Sequence, residues 1–196
     1  MDHEHYDDSY IRAILNTVKT IAVVGVSANT VRPSYFVFKY LLERGYRMIP
    51  VNPGLAGKDL LGQKAYASLL DIPEAVDMVN IFRPSPYAKE IVEQTLAMRP
   101  RPGVVWMQLG IRNDEAAALA EANGLKVVMN RCPKIEYGRL SSEISWMGVN
   151  SRTLSSKKAP LSGRVQRMAL NRVTSAGAPT AAADAAERAT QGRGGS

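Results

Sequence analysis

The stretch IAVVGVSANTVRPS, residues 21–34, decides how the rest of the chain is interpreted. It joins a β-branched apolar run to a glycine, a turn of small residues and Pro33, which favours the first turn of a helix. A strand, a turn and a helix in this order are typical of phosphate-binding nucleotide folds. Of the three glycines in the dinucleotide fingerprint only Gly25 is present, because Ser27 and Thr30 stand at the other two places. The stretch therefore indicates a phosphate-binding turn and leaves the nucleotide open.

The same unit repeats along the chain. Short apolar runs predict five strands, and helical periodicity with capping signals predicts four helices. The first helix has Ser9 as its predicted N-cap. The others run from Pro33 to Gly45, from Ser85 to just before Pro100, and from Asn113 to Gly124. The strands are predicted at residues 21–26, 47–51, 76–82, 104–108 and 125–129. Residues 52–62 contain glycines, show no helical pattern and are predicted to form a loop. Alternation of this kind predicts a Rossmann-like, doubly wound α/β fold: a five-stranded parallel sheet with helices on both faces.

Charge and composition divide the 196 residues into a body and a tail. Residues 1–150 carry 17 Lys and Arg against 16 Asp and Glu, whereas residues 151–196 carry 8 against 2. The net charge of +7 therefore belongs mainly to residues 151–196, which are rich in Ala, Gly and Ser and are predicted to be largely disordered, with one short helix near residues 165–173. Nucleic acid is for this reason not the expected partner.

No apolar run approaches the roughly 20 residues of a membrane span, so no span is predicted. The acidic N-terminus and the single cysteine favour a cytoplasmic location.

The ligand is expected where strand order reverses, beyond the carboxyl ends of the strands. A nicotinamide dinucleotide would call for a carboxylate at the end of the second strand, where this chain has Val51, Asn52 and Pro53. The strand ends offer cations instead: Arg32, Lys58, Arg83, Arg112, Arg131 and Lys134. This pattern predicts a ligand with several phosphates that is more anionic than NAD, although Arg32 or Lys58 would also suit the 2′-phosphate of NADP.

Residues 20–140 resemble the CoA-binding domain family, whose members are similar to the N-terminal domain of the succinyl-CoA synthetase α subunit. The resemblance rests on GVSANTVRPSY, MIPVNPGLAGKDLLGQKAYASLLDIPEAVD, NIFRPS, GVVWMQLGIRNDEAA and GLKVVMNRCPKIEYGRL, which follow one another in order. It implies that the cofactor is coenzyme A or an acyl-CoA.

The resemblance also implies a role for each matching position. Gly25, Ser27 and Thr30 would contact the phosphates, and Arg32 and Lys39 would meet their charge. Asn52, Pro53 and Lys58 would flank the adenine or ribose, and Phe82, Arg83 and Pro84 would border the nucleotide. Leu109, Gly110, Asn130 and Cys132 would lie along the path of the pantetheine arm.

Catalytic machinery is not evident in the sequence. The synthetase relatives pass phosphate through a histidine on a second domain, whereas the only histidines of this chain are His3 and His5. We therefore expect a protein that binds, carries or senses the cofactor without catalysis of its own, as a homodimer or with an acyl-transferring partner. An NADP(H)-binding oxidoreductase or redox-sensing regulator remains the alternative.

Two further features allow two interpretations each. Cys132 is either a small buried hydrophobic residue or, beside Arg131 and Lys134, a thiolate of lowered pKa that exchanges with the thiol of the cofactor. His3 and His5, together with the nearby acids, are either a solvated terminus or a metal-binding cluster, and the first is expected.

Overall fold

The computed structural model describes residues 2–141, and within them the predicted fold is confirmed. A five-stranded parallel sheet has the order β2-β1-β5-β6-β7, and a short antiparallel hairpin is formed by β3 and β4. The strands are β1 (Thr20–Val24), β2 (Arg47–Val51), β3 (Asp59–Leu60), β4 (Gln63–Lys64), β5 (Met78–Ile81), β6 (Val104–Met107) and β7 (Lys126–Val128). The predictions made for residues 151–196, both disorder and a short helix, lie outside the described residues.

Helices cover both faces of this sheet. They are α1 (Asp8–Thr17), α2 (Pro33–Glu43), α3 (Ala88–Ala97), α4 (Asp114–Ala122) and α5 (Pro133–Leu140). The helices α1, α2 and α5 share one apolar core with one face of the sheet, and α3 and α4 share a second core with the other face. Single 3₁₀ turns lie at Pro53–Leu55, Leu69–Asp71 and Ser85–Tyr87.

Each central strand contributes side chains to both cores, because successive side chains along a strand point to opposite faces of the sheet. In β1, Ile21 and Val23 enter the core beneath α2, whereas Ala22 enters the core beneath α3 and α4. All three are fully buried. This explains why the strand reads as a continuous apolar run rather than as an alternating one.

Strand order reverses at β1, which pairs with β2 on one side and with β5 on the other. The chain leaves β1 through α2 to reach β2, and then crosses back to β5. Segments that follow β1 and β5 therefore diverge at the carboxyl edge of the sheet and leave a crevice there.

The structure differs from the sequence-based expectation at three places. The first helix begins at Asp8 with Asp7 as its N-cap, so Ser9 is not the cap, and no side chain caps this end. Residues 52–62, predicted as loop, contain a 3₁₀ turn and the first strand of a hairpin. Helix α5 was not predicted, because its sequence PKIEYGRL contains a glycine and has no clear apolar stripe. It forms because Ile135, Tyr137 and Leu140 pack against the core that α1 and α2 share.

Candidate functional site

The turn after β1 is held in shape by its own short polar side chains. The N–H of Gly25 donates to the carbonyl of Val51 (2.9 Å), and the N–H of Ser27 donates to Oγ of Ser34 (3.1 Å). The N–H of Asn29 donates to Oγ of Ser27 (3.1 Å). These three hydrogen bonds fix the shape of the turn.

Other backbone donors of this turn remain available. Within residues 2–141, the N–H groups of Ala28, Thr30 and Ser34 have no hydrogen-bond acceptor. They lie at or just before the N-terminus of the eleven-residue helix α2, where unpaired N–H groups and the helix dipole favour an anion. The prediction of an anion-binding turn at this position stays a prediction, now with a defined set of donors.

A larger cleft, of about 670 Å³, opens on the α2 side of this turn. Seven of the predicted site residues line it: Gly25, Ser27, Arg32, Phe82, Pro84, Leu109 and Cys132. Its remaining lining residues are Pro33, Ser34, Val37, Gln108 and Ile111. The cleft thus has a polar end at the turn and a mainly apolar end beneath α2.

A smaller cleft, of about 340 Å³, lies on the other side of Gly25. Of the predicted site residues, Asn52, Pro53 and Arg83 line it. Tyr87, from the 3₁₀ turn before α3, and residues of α3 also line it. The guanidinium of Arg83 stacks on the ring of Tyr87, 4.7 Å from its centroid. Gly25 lines both clefts, so the two are neighbours separated by the turn.

Asn52 ties the turn after β1 to the loop after β2. Its Nδ2 donates to the carbonyl of Val26 (2.7 Å), and its Oδ1 accepts from the N–H of Gly54 (2.9 Å). Both ends of the carboxamide are therefore engaged within the protein. Asn52 keeps the two loops at a fixed separation, which sets the shape of the smaller cleft.

Five predicted site residues line neither cleft. Thr30 and Lys58 are exposed, and Lys39 is exposed on the face of α2 opposite its buried residues, where it pairs with Glu43 (3.7 Å). Asn130, in the left-handed region at φ 53°, accepts the N–H of Gly110 at its Oδ1 (2.8 Å). Asn130 and Gly110 therefore stabilise the loops that follow β6 and β7.

The N-terminal segment holds two of the strand-end cations. Arg112 pairs with Glu4 and with Asp114, and Arg131 donates from Nη2 to the carbonyl of Glu4 (3.1 Å). Tyr6 anchors this segment, because its hydroxyl accepts the N–H of Met129 (2.8 Å). Arg112 and Arg131 are thus engaged within the fold.

Four other strand-end cations have no acidic partner. Among the residues that the structure describes, none forms an ion pair with Arg32, Lys58, Arg83 or Lys134. Of these four, Arg32 alone lines the larger cleft. It is therefore the cation best placed to meet an anion in the larger cleft.

Cys132 is buried at the start of α5, with 7% of its surface exposed. Burial raises the pKa of its thiol, and hydrogen bonds from the backbone of Ile135 and Lys134 oppose this shift only in part. The hypothesis of a lowered pKa at this thiol is therefore wrong. The charges of Arg131 and Lys134 do not compensate for the loss of hydration.

The polar interior of the larger cleft was missed by the sequence interpretation. Gln108 lines the cleft directly after β6, and it bonds to the fully buried Asn80 of β5. The only available signal was a polar residue at the end of an otherwise apolar strand. Ser34, whose hydroxyl orders the turn, was missed because serine near a helix start has a common capping interpretation.

His3 is packed within the fold and not solvated as expected, whereas His5 is exposed. His3 Nδ1 lies 2.8 Å from the hydroxyl of Tyr6, and its Nε2 lies 3.5 Å from Glu121. Within residues 2–141, no three His, Cys, Asp or Glu side chains are grouped so as to hold a metal ion. In the same residues no helix has the length and apolar character that crossing a bilayer requires.

Together, the sheet order and the crevice define a Rossmann-like α/β domain with two adjoining clefts at the carboxyl ends of β1 and β5. The chain belongs to the CoA-binding domain family, whose model matches residues 19–138.

Relatives of known sequence fall into two kinds. The chain is 38% identical over 127 residues to the uncharacterized protein YneT of Bacillus subtilis, an alignment that covers 65% of this chain and 91% of that protein. It is also 34% identical over 88 residues to subunit alpha of the ADP-forming acetate–CoA ligase I of Pyrococcus furiosus, covering 43% of this chain and 19% of that subunit. The similarity therefore spans nearly all of the first relative and a small part of the second.

Solved structures support the same fold. A Thermus thermophilus protein, cell-free ID.343, is 43% identical with a TM-score of 0.65, covering 69% of this chain and 99% of its own. A hypothetical protein from Pyrococcus horikoshii is 40% identical with a TM-score of 0.66, covering 70% and 94% respectively.

Proposed function

We propose that this chain binds coenzyme A or an acyl-CoA and acts as a carrier, buffer or sensor of that cofactor without catalytic machinery of its own. The observation that carries the proposal is the turn that follows Gly25, which has unpaired N–H groups and adjoins two clefts in a member of the CoA-binding domain family. Similarity to a subunit of an acetate–CoA ligase is a second support.

The two clefts suit the two ends of such a ligand. The phosphates would meet the N–H groups of the turn and the guanidinium of Arg32, since both favour an anion. The adenine and ribose would occupy the smaller cleft beside Pro53 and Arg83. The pantetheine arm would run through the larger cleft, whose inner residues, such as Val37 and Ile111, are apolar.

A role without catalysis is supported by the residues that line these clefts. Among the described lining residues there is no histidine or aspartate, and Glu90 at the smaller cleft is the one carboxylate. The single thiol, Cys132, is buried with a raised pKa. General acid–base or nucleophilic chemistry would require groups that titrate near neutral pH within reach of the ligand. An acyl group carried here would be transferred by a partner enzyme.

The alternative is an NADP(H)-binding oxidoreductase or redox-sensing regulator, and the carboxylate of Glu90 bears on which dinucleotide it would take. Glu90 lies at the smaller cleft, where a carboxylate could accept hydrogen bonds from ribose hydroxyls. A carboxylate at this place would favour a free 2′-hydroxyl over a 2′-phosphate. It would thus favour NAD over NADP.

Calorimetric titration with coenzyme A, acetyl-CoA, NADH and NADPH tests the proposal. We expect binding of the first two and none of the dinucleotides, and acetyl-CoA incubated with the protein should release no free thiol above the buffer rate. Binding of a dinucleotide alone would support the alternative. Thiol release that depends on the protein would show a catalytic activity and overturn the carrier role.

A further inference from the structure

The floor of the larger cleft contains a pair of buried carboxamides. Asn80, in the centre of the sheet, is fully buried, and Gln108 is 4% exposed. Nε2 of Gln108 donates to Oδ1 of Asn80 over 3.1 Å. Within residues 2–141, Nδ2 of Asn80 is buried and has no hydrogen-bond partner.

This pair lies on the α2 side of the sheet. Asn80 precedes Phe82 by two residues, and side chains two apart along a strand point to the same face. Phe82 and Gln108 both line the larger cleft. Asn80 is therefore one hydrogen bond away from the cleft, through Gln108.

An unpaired buried amide lowers stability, and apolar residues at both positions would avoid that cost. The surroundings are otherwise apolar, as Trp106 stands opposite Asn80 in the register of β5 and β6. A polar pair at such a place calls for an explanation beyond packing.

The hydrogen bond to Asn80 determines which atom Gln108 offers to a ligand. Because Nε2 points toward Asn80, the Oε1 oxygen of Gln108 is the acceptor that this side chain offers, without a partner in the part of the chain that the structure describes. If the terminal amide groups of both side chains were rotated by half a turn, Nδ2 of Asn80 would donate to Oε1 of Gln108. Nε2 of Gln108 would then face the cleft. The pair can therefore present an acceptor or a donor at the same point.

A ligand group that suits both arrangements carries an N–H and a carbonyl side by side, as a secondary amide does. Its neighbours along the cleft would be Val37, Phe82 and Ile111, which suit an aliphatic chain on either side of that amide. A phosphate carries only acceptors, and it is expected at the polar end of the cleft near Arg32.

We propose that Asn80 and Gln108 form an amide-recognition site, in which Gln108 bonds an amide of the ligand and Asn80 positions Gln108. The inference rests on the proposed function, since it assigns this pair to an amide of the pantetheine arm of coenzyme A. Gln108 is the specificity residue, and Asn80 acts through it.

The test compares two ligands that share a nucleotide end. Coenzyme A carries the amides, whereas adenosine 3′,5′-bisphosphate lacks the whole arm. Gln108→Met, which keeps the length of the side chain and removes its polar atoms, should weaken coenzyme A binding about tenfold and leave the affinity for adenosine 3′,5′-bisphosphate within twofold. Equal weakening for both ligands, or for neither, would overturn the inference.

A double variant separates recognition from stability. Asn80→Leu combined with Gln108→Met removes both polar partners, so it should unfold at a higher urea concentration than the single variant. It should nevertheless show the same loss of coenzyme A affinity. Recovery of affinity in the double variant would mean that the single variant was only misfolded, and this would overturn the inference.

A matched control is Thr95→Val, which removes a buried polar group from α3, where its hydroxyl donates to the carbonyl of Ile91 (2.8 Å). It should bind both ligands as the unaltered chain does. Failure of the unaltered chain to bind coenzyme A would refute the proposed function, and the inference with it. Binding by the unaltered chain with unchanged binding by Gln108→Met would refute the inference alone.

Discussion

Gly25 and Arg83 lie so close together that a side chain on Gly25 would crowd Arg83. A Cβ atom on Gly25 would lie 3.0 Å from Cδ and 3.2 Å from Cγ of Arg83. Gly25 also has φ +85°, in the left-handed region that favours glycine. Two independent constraints therefore favour glycine at the point where the two clefts adjoin.

Replacing Gly25 by alanine should damage both stability and binding. The left-handed backbone costs a non-glycine residue about 1–2 kcal/mol. The methyl group must also push the side chain of Arg83 aside by a few tenths of an ångström. We expect urea denaturation to show that loss of stability, and calorimetry to show coenzyme A binding at least tenfold weaker.

Gly45→Ala is the matched control for this prediction. Gly45 has φ +89°, and a Cβ atom there would meet nothing within 4 Å. It should lose a similar amount of stability and bind coenzyme A normally. Similar losses of affinity in the two variants would show that Gly25 acts through general stability and not through the clefts.

Arg32→Glu should weaken coenzyme A binding by about 1.5–3 kcal/mol, the range for hydrogen bonds to charged groups. Arg32 lines the larger cleft and has no acidic partner among residues 2–141. Lys126→Glu changes the net charge equally at the exposed start of β7, at the opposite edge of the sheet, and should have little effect. Lys58→Glu should fall between them, because Lys58 lines neither cleft. Equal effects of all three would indicate long-range attraction without a specific phosphate contact.

Cys132 should react slowly with alkylating reagents. Because burial raises the pKa of the Cys132 thiol, less thiolate is present at pH 8 than for an exposed thiol. We expect iodoacetamide to modify folded protein at least tenfold more slowly than glutathione, with the rate rising as the pH is increased, and saturation with coenzyme A to slow it further. Protein unfolded in urea serves as the control and should react at the ordinary rate. Faster reaction of the folded protein than of glutathione would restore the hypothesis of an activated thiol.

Stability should fall at alkaline pH through Tyr46. This side chain is buried, its hydroxyl donates to the carbonyl of Leu15 (2.8 Å), and desolvation raises the pKa of Tyr46 to about 12 from 10.0. The folded state therefore holds this proton after the unfolded state has released it. The contribution to stability is complete below pH 10 and is lost as the pH rises toward 12.

Urea denaturation at pH 8, 10 and 11 checks this expectation. Tyr46→Phe should be less stable at pH 8 by about 1 kcal/mol, for the lost hydrogen bond. Its free energy of unfolding should decline less steeply between pH 10 and 11 than that of the unaltered chain. If the free energies of unfolding of both proteins decline in parallel, other groups control the loss of stability at alkaline pH. Tyr6 is one such group, because burial also raises the pKa of Tyr6 to about 12.

Much of the candidate site could be predicted because strand ends and turns are local in sequence. Gly25, Ser27 and Arg32 follow β1 directly, so any parallel sheet brings them to the carboxyl edge. Lys39 shows the limit of that reasoning, since its place on the exposed face of α2 depends on which side of the helix packs against the sheet.

Long-range contacts decided what local patterns could not. Helix α5 has a weak apolar pattern and forms against α1 and α2, and the N-terminal segment engages Arg112 and Arg131 over more than a hundred residues of chain. Patterns among neighbouring residues do not reveal contacts between segments that are this far apart in the chain. The raised pKa of the Cys132 thiol also depends on tertiary structure. Its charged neighbours can be read from the sequence, but its burial cannot.

The sequence by itself determined the order of the five strands of the main sheet and of helices α1 to α4, and the glycine turn after β1, since apolar periodicity and backbone freedom are properties of neighbouring residues. Only the tertiary structure decided that Gly25 separates two clefts and that Asn80 meets Gln108 beneath one of them. Asn80 and Gln108 lie 28 residues apart on adjacent strands, and it is the pairing of β5 with β6 that brings the two amides together.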